Sequence, residues 1–145
     1  MVRADVVSAK LADLADRVER VREHRKADAD SLQADRDALD LVSFNLMLAV
    51  QICADVASHV IADEGWPAAK NLAQSFTRLH EHGVIDARTA AALARAVGLR
   101  NVVAHGYAGV DASMVHAASA SGLDDLDSFA RQVAAWTKAR VASDV

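Results

Sequence analysis

Apolar residues recur at three- and four-residue intervals along almost the whole chain, and nowhere alternate for long enough to suggest a strand. Leu11, Leu14, Val18 and Val21 put one apolar face on a helix from about Ala4 to His24. The rest of that helix carries interleaved acids and bases, the pattern of a solvated face with i,i+4 pairs. A charged stretch from Lys26 to Asp30 interrupts the period, with Ser31 or Asp35 available to cap the next helix. From about Arg36 to Ala62, the stripe of Leu39, Val42, Leu46, Val50, Cys53, Val56 and Val60 is widened by Leu41, Phe44, Met47, Leu48 and Ile52. A helix apolar around so much of its circumference has to be central, packed on several sides or against a second subunit.

Gly65-Trp66-Pro67 predicts a turn. Asn71, with Gln74 three residues on, forms a capping-box start for a helix whose Leu72, Phe76 and Leu79 face inward, and Gly83 ends it as a left-handed cap. Asp86 caps a helix running through Leu93, Val97 and Val102 to His105, with Gly106 as its stop. Asp111 opens a short helix near Met114, and a last helix follows Gly122 with Leu123, Leu126, Phe129, Val133 and Trp136 on its apolar face. The expected architecture is a single all-α domain over residues 1–145, a helical bundle of five to six helices.

Composition narrows the setting. A chain of 145 residues is long enough for one buried core, and six glycines and one proline leave the helices largely uninterrupted. Cys53 has no second cysteine to pair with, which suits a reducing compartment. The chain does not open on a basic start and an apolar run, and its apolar stretches are broken by Asp, Gln, Arg or His. The expectation is a cytoplasmic protein with no signal peptide and no membrane span. A net charge of −4 counts against broad, sequence-blind nucleic-acid binding, while leaving room for a local basic cleft.

The candidate chemistry lies in Arg100-Asn101-Val102-Val103-Ala104-His105-Gly106-Tyr107. Eight residues gather a permanent cation, an amide, an imidazole and a phenol, in a neighbourhood otherwise rich in Ala and Val. Guanidinium and imidazole together suit phosphodiester chemistry, in which charge on a phosphate is stabilised while a proton moves. On a helix, with Arg100 at zero, Asn101 falls at ~100° and His105 at ~140°, so the last two are i,i+4 neighbours. Ala96, Leu99, Val102 and Val103 take the opposite arc, so the polar trio is expected to point away from the helix's own core face, into solvent, a cleft or a partner. His105 also occupies the last helical turn, where the carbonyl end of the helix dipole favours positive charge. The competing reading is that Arg100 and His105 only cap the terminal carbonyls.

Other constellations are weaker. In His80-Glu81-His82 the two imidazoles diverge by ~200° on a helix and do not chelate together. His59 with Asp63 offers two ligands and no third, and Cys53 reads as a small core residue. No glycine-rich phosphate loop or paired-cysteine pattern is present, and no cofactor or metal is expected.

The string Arg100-Asn101-Val-Val-Ala-His105-Gly-Tyr107 resembles the R-x4-H-x-Y signature of HEPN-domain toxins of the HepT-like group. The resemblance extends to Asp40–Leu46 and Ala54–Ala62 on the long apolar helix, to Glu81–Asp86 before the motif and to Gly109–Asp111 after it, covering roughly residues 5–140. It implies an α-helical homodimer, the toxin of a type VII toxin–antitoxin pair, that cleaves RNA without a metal ion. It also implies a minimal nucleotidyltransferase antitoxin as partner, which transfers AMP from ATP onto the motif tyrosine. By the same resemblance Arg100 and His105 are catalytic, Asn101 supports them and Tyr107 is the modified residue. The acidic net charge favours a narrow RNA substrate, such as tRNA. The alternative is a non-catalytic helical module that binds a nucleotide or a partner protein.

Overall fold

Seven α-helices form among the described residues, 2–106 and 109–144 of this computed structural model. They are α1 (Ala4–His24), α2 (Ala29–Ala34), α3 (Arg36–Glu64), α4 (Leu72–Glu81), α5 (Ala87–Ala104), α6 (Ala112–Ala120) and α7 (Gly122–Ser143). No strand occurs among them, and the α1 bounds coincide with those expected from its period.

The helix beyond the expected five to six is α2. Asp28, rather than Ser31, is its N-cap, and the Ser31 backbone N–H donates to the Asp28 carboxylate at 2.7 Å. With six residues and Leu32 as its one buried side chain, α2 is too short to declare an apolar period. Asp35 then caps α3 through the Ala38 N–H, as its spacing predicts.

Helix α3 is the centre of the bundle, against which α1, α2, α4, α5, α6 and α7 all pack. Val42, Ala49, Val56, Ala57 and Val60 are fully enclosed. By length and composition alone α3 could cross a membrane, with a mean hydropathy of 1.6 over its most apolar stretch. The reason for that apolarity is its central position, since 56% of that stretch is buried against the other helices. One stripe of α3 stays open. Leu41, Leu48, Gln51 and Asp55 follow one another at alternating spacings with Phe44, which is 51% exposed.

Helices α4 and α5 position the motif. Asn71 accepts the Gln74 N–H at 2.8 Å, but the Gln74 side chain reaches back to the Lys70 amide, one residue earlier than a capping box requires. Gly83 takes φ 75°, the left-handed turn expected after α4. Asp86 caps α5 through the Thr89 N–H and exchanges two hydrogen bonds with the Gln132 side chain, which ties the start of α5 to α7. Along α5, Leu93, Val97 and Leu99 are buried.

Val102 is not inside, as the apolar spacing suggests, but 39% exposed. It lies ~200° from Arg100, whereas Leu93 and Val97 lie at ~20° and ~60°, so the arc they bury turns Val102 outward. Gly106 follows α5 without a left-handed φ. A Cβ there would come within 3.0 Å of the Val102 carbonyl, so close backbone approach is what demands glycine at this exit.

Candidate active site

Of the places the helical projection leaves open to Arg100, the structure selects the cleft beside α3 rather than open solvent. The arginine's place at zero on the wheel falls between the buried Leu93 and Val97 on one side and Leu99 on the other, so its side chain runs toward α3 and is half-buried. There Nε and Nη2 both donate to Oε1 of Gln51, at 3.1 and 2.9 Å. Nη1 donates to Oδ1 of Asn101 at 3.0 Å. Gln51 is itself braced one turn on, its Nε2 donating to Asp55 at 3.1 Å. The guanidinium is thus pinned between two helices in a chain that runs Asp55, Gln51, Arg100, Asn101.

A guanidinium carries five N–H donors. Among the described residues three are used, which leaves one on each Nη for a further acceptor. That is the arrangement needed to receive two oxygens of a phosphate. Gln51 does not stand out in the sequence. The available signal is a polar residue inside the most apolar helix, at i,i+4 from Asp55.

Asn101 is exposed, and its backbone carbonyl accepts the His105 N–H at 3.0 Å, which closes the last turn of the helix. His105 is the C-cap residue, with φ −112° and an exposed side chain that makes no hydrogen bond among the described residues. The structure therefore brings Arg100 and Asn101 into contact and leaves His105 one turn further on, open to solvent. Tyr107 lies outside the described residues.

His80, His82 and Cys53 have structural roles. The His80 ring bonds the Ile85 carbonyl at 3.1 Å, while His82 stacks on Trp66 at 3.9 Å between centroids. Trp136 meets Trp66 edge-on. Cys53 is fully buried, and burial pushes its thiol pKa well above the ordinary range, so it is an inert core residue.

Beside Arg100 and Asn101 a groove of about 780 Å³ extends between α3, α5 and the segment that leads into α4. Trp66, Lys70 and the first residues of α4 also line it.

The chain is thus an all-α bundle that gathers an Arg, an amide and a His at the end of one helix. The profile of the HepT-like ribonucleases matches residues 14–133, most of the chain, and the chain belongs to that family. The mRNA nuclease HepT of Shewanella oneidensis is 25% identical over 125 residues, spanning 86% of this chain and 93% of that protein. Among solved structures, a toxin–antitoxin complex with AMP-PNP superposes with a TM-score of 0.83 at 24% identity, over 90% of this chain and 98% of that one. A tri-AMPylated Shewanella oneidensis HEPN toxin in complex with MNT antitoxin gives a TM-score of 0.82, at the same identity and coverage. These two likenesses establish the fold.

Proposed function

We propose that the chain is the ribonuclease toxin of a toxin–antitoxin pair, and that Arg100 and His105 carry its chemistry. The observation that supports this most directly is the pinned Arg100 guanidinium. Among the described residues it keeps two N–H donors without a partner, one helical turn before an exposed imidazole, on a protein whose family is that of HepT-like ribonucleases.

RNA supplies its own nucleophile. A base removes the 2′-OH proton, the 2′-oxygen attacks the adjacent phosphorus, and the 5′-oxygen leaves with a proton from an acid. The products are a 2′,3′-cyclic phosphate and a free 5′-hydroxyl. Arg100 neutralises the negative charge that builds on the phosphorane oxygens, and Gln51 and Asn101 hold it so that no reorganisation is needed. His105 moves the protons, imidazole being the side chain whose ordinary titration spans neutrality. One chain provides a single motif histidine, and base and acid are both required. A second copy seated on the open stripe of α3 supplies the other, because Gln51, which holds Arg100, belongs to the same stripe as Phe44.

The relative from Shewanella oneidensis is named as an mRNA nuclease, which makes mRNA the first substrate to test, with tRNA as the comparison. An RNA-cleaving toxin works where its substrate is, so the reading includes a cytoplasmic site of action. It includes regulation as well. A nucleotidyltransferase partner adds AMP to Tyr107, two residues beyond His105, and sets bulk and negative charge where the RNA phosphate must bind.

Expression of the wild-type chain in bacteria is expected to arrest growth. His105→Ala and Arg100→Ala are each expected to abolish the arrest without altering the helical circular dichroism. Arrest retained in both folded variants would overturn the catalytic assignment. The regulatory half is read by intact mass after incubation with the partner enzyme and ATP. Mass should rise by AMP units in the wild type and stay unchanged in Tyr107→Phe.

A further inference from the structure

The groove beside Arg100 carries more than one contact needs. Among its described lining residues are two cations, Lys70 and Arg100, and no carboxylate, in a chain whose net charge is −4. Much of the rest of the lining is apolar, and its aromatic member is held in place. Trp66 is clamped by the stacked His82 ring and by Trp136, and Ala68 and Leu72 continue the same surface. Just after Lys70, α4 begins. The Gln74 N–H is taken by the Asn71 side chain and the Ser75 N–H by the Asn71 carbonyl. The first two amides of α4, those of Leu72 and Ala73, have no carbonyl one turn back to bond, and both residues line the groove. The groove therefore combines the charges of Lys70 and Arg100 and the N-terminus of α4 with a largely apolar lining.

We propose that this groove is the subsite for the nucleotides next to the cleaved linkage of a single-stranded RNA. A neighbouring phosphate sits on Lys70, and a base lies along the Trp66–Leu72 wall. The inference rests on the ribonuclease reading and deepens it. Three features select the occupant. Continuity with Arg100 sets the direction in which the strand leaves the reacting phosphate. Two cations without a carboxylate match a polyanion, not an acidic-and-basic protein surface. An apolar wall requires bases that are already unstacked, which single strands offer and duplexes withhold.

A fluorescein-labelled single-stranded RNA titrated onto the catalytically silent His105→Ala protein measures binding by anisotropy. Adding Lys70→Glu is expected to weaken affinity roughly tenfold and to lower the slope of log Kd against log salt by about one. Ala68→Trp, which fills the trough from an exposed loop position, is expected to weaken it as well. Arg131→Glu makes the same charge change on α7 outside the groove and is expected to leave affinity unaltered.

In the active protein, Lys70→Glu is expected to raise KM for the longer RNA. It should leave cleavage of a dinucleoside monophosphate unchanged, because that substrate lacks the neighbouring phosphate. Equal binding and equal KM in wild type and Lys70→Glu would overturn the subsite while leaving the ribonuclease reading intact. Loss of the nucleotidyltransferase complex with RNA binding preserved would also overturn it, and assign the groove to the protein partner. A wild-type protein that cleaves neither RNA nor the dinucleoside removes the ribonuclease reading and the subsite with it.

Discussion

Gln51 decides where the Arg100 charge is held. Without it the guanidinium keeps only its bond to Asn101 and is free to swing on a long side chain into solvent. Gln51→Ala is therefore expected to lower the single-turnover cleavage rate by about ten- to a hundredfold, since misplaced electrostatic stabilisation is costly in the transition state. Gln51→Glu keeps the bond but places a cancelling charge on the arginine, and is expected to be as slow. Both are checked by rapid-quench cleavage alongside circular dichroism, and wild-type rates in either would remove the positioning role. The Arg-to-His string is legible because its members are neighbours in sequence. Gln51 is not, because its partner is 49 residues away and only the packing of α5 on α3 joins them. The orientation of Arg100 escapes the sequence for a related reason. A helical wheel assigns an arc, but a long side chain at the border of the buried arc goes to whichever neighbour offers an acceptor.

Helix boundaries are legible where a side-chain cap stands before an apolar period, as at Asn71, Asp86 and Asp111. α2 escapes because one buried leucine sets no period. Asn71→Ala removes the side-chain acceptor for the Gln74 N–H and is expected to cost about 1 kcal/mol. For a domain of this size that is a fall of roughly 3–5 °C in Tm, measured by thermal circular dichroism.

A second element-level contact joins the end of α3 to the end of α7. Arg140 donates to both carboxylate oxygens of Glu64, at 3.0 and 2.8 Å, and the Glu64 side chain is 3% exposed. The hydrogen bonds from Arg140, with its charge, outweigh desolvation and hold the Glu64 pKa below the ordinary carboxylate range. A depressed folded pKa contributes stability above the unfolded value, near 4.3, and loses it as pH falls through the folded value. Glu64→Gln is therefore expected to melt below the wild type at neutral pH, with the gap closing in acid. A gap that stays constant from pH 7 to pH 3 would show that the ion pair contributes nothing.

At the scale of the molecule, the central helix raises two questions in sequence, and its burial answers one of them. The apolarity of α3 that exceeds one stripe goes largely into the contacts with its neighbours, yet Phe44 remains half-exposed between the partly buried Leu41 and Leu48. Sequence alone does not separate inward from outward apolar positions on a helix surrounded so completely. The packing does, and it leaves an open stripe that continues into Gln51 and Asp55. About two turns, or ~10 Å, separate Phe44 from Gln51 along the axis. A twofold mate using Phe44 as an anchor would bring its own Arg100 close to the first.

Phe44→Glu is expected to convert a dimer to a monomer at micromolar concentration, read by light scattering on a sizing column. The melting temperature of the subunit should change little, because the ring is already exposed. RNA cleavage should be lost together with the dimer. A Phe44→Glu protein that is monomeric and fully active would show that one copy supplies both acid and base. A wild type that is monomeric from the outset would remove the shared cleft altogether.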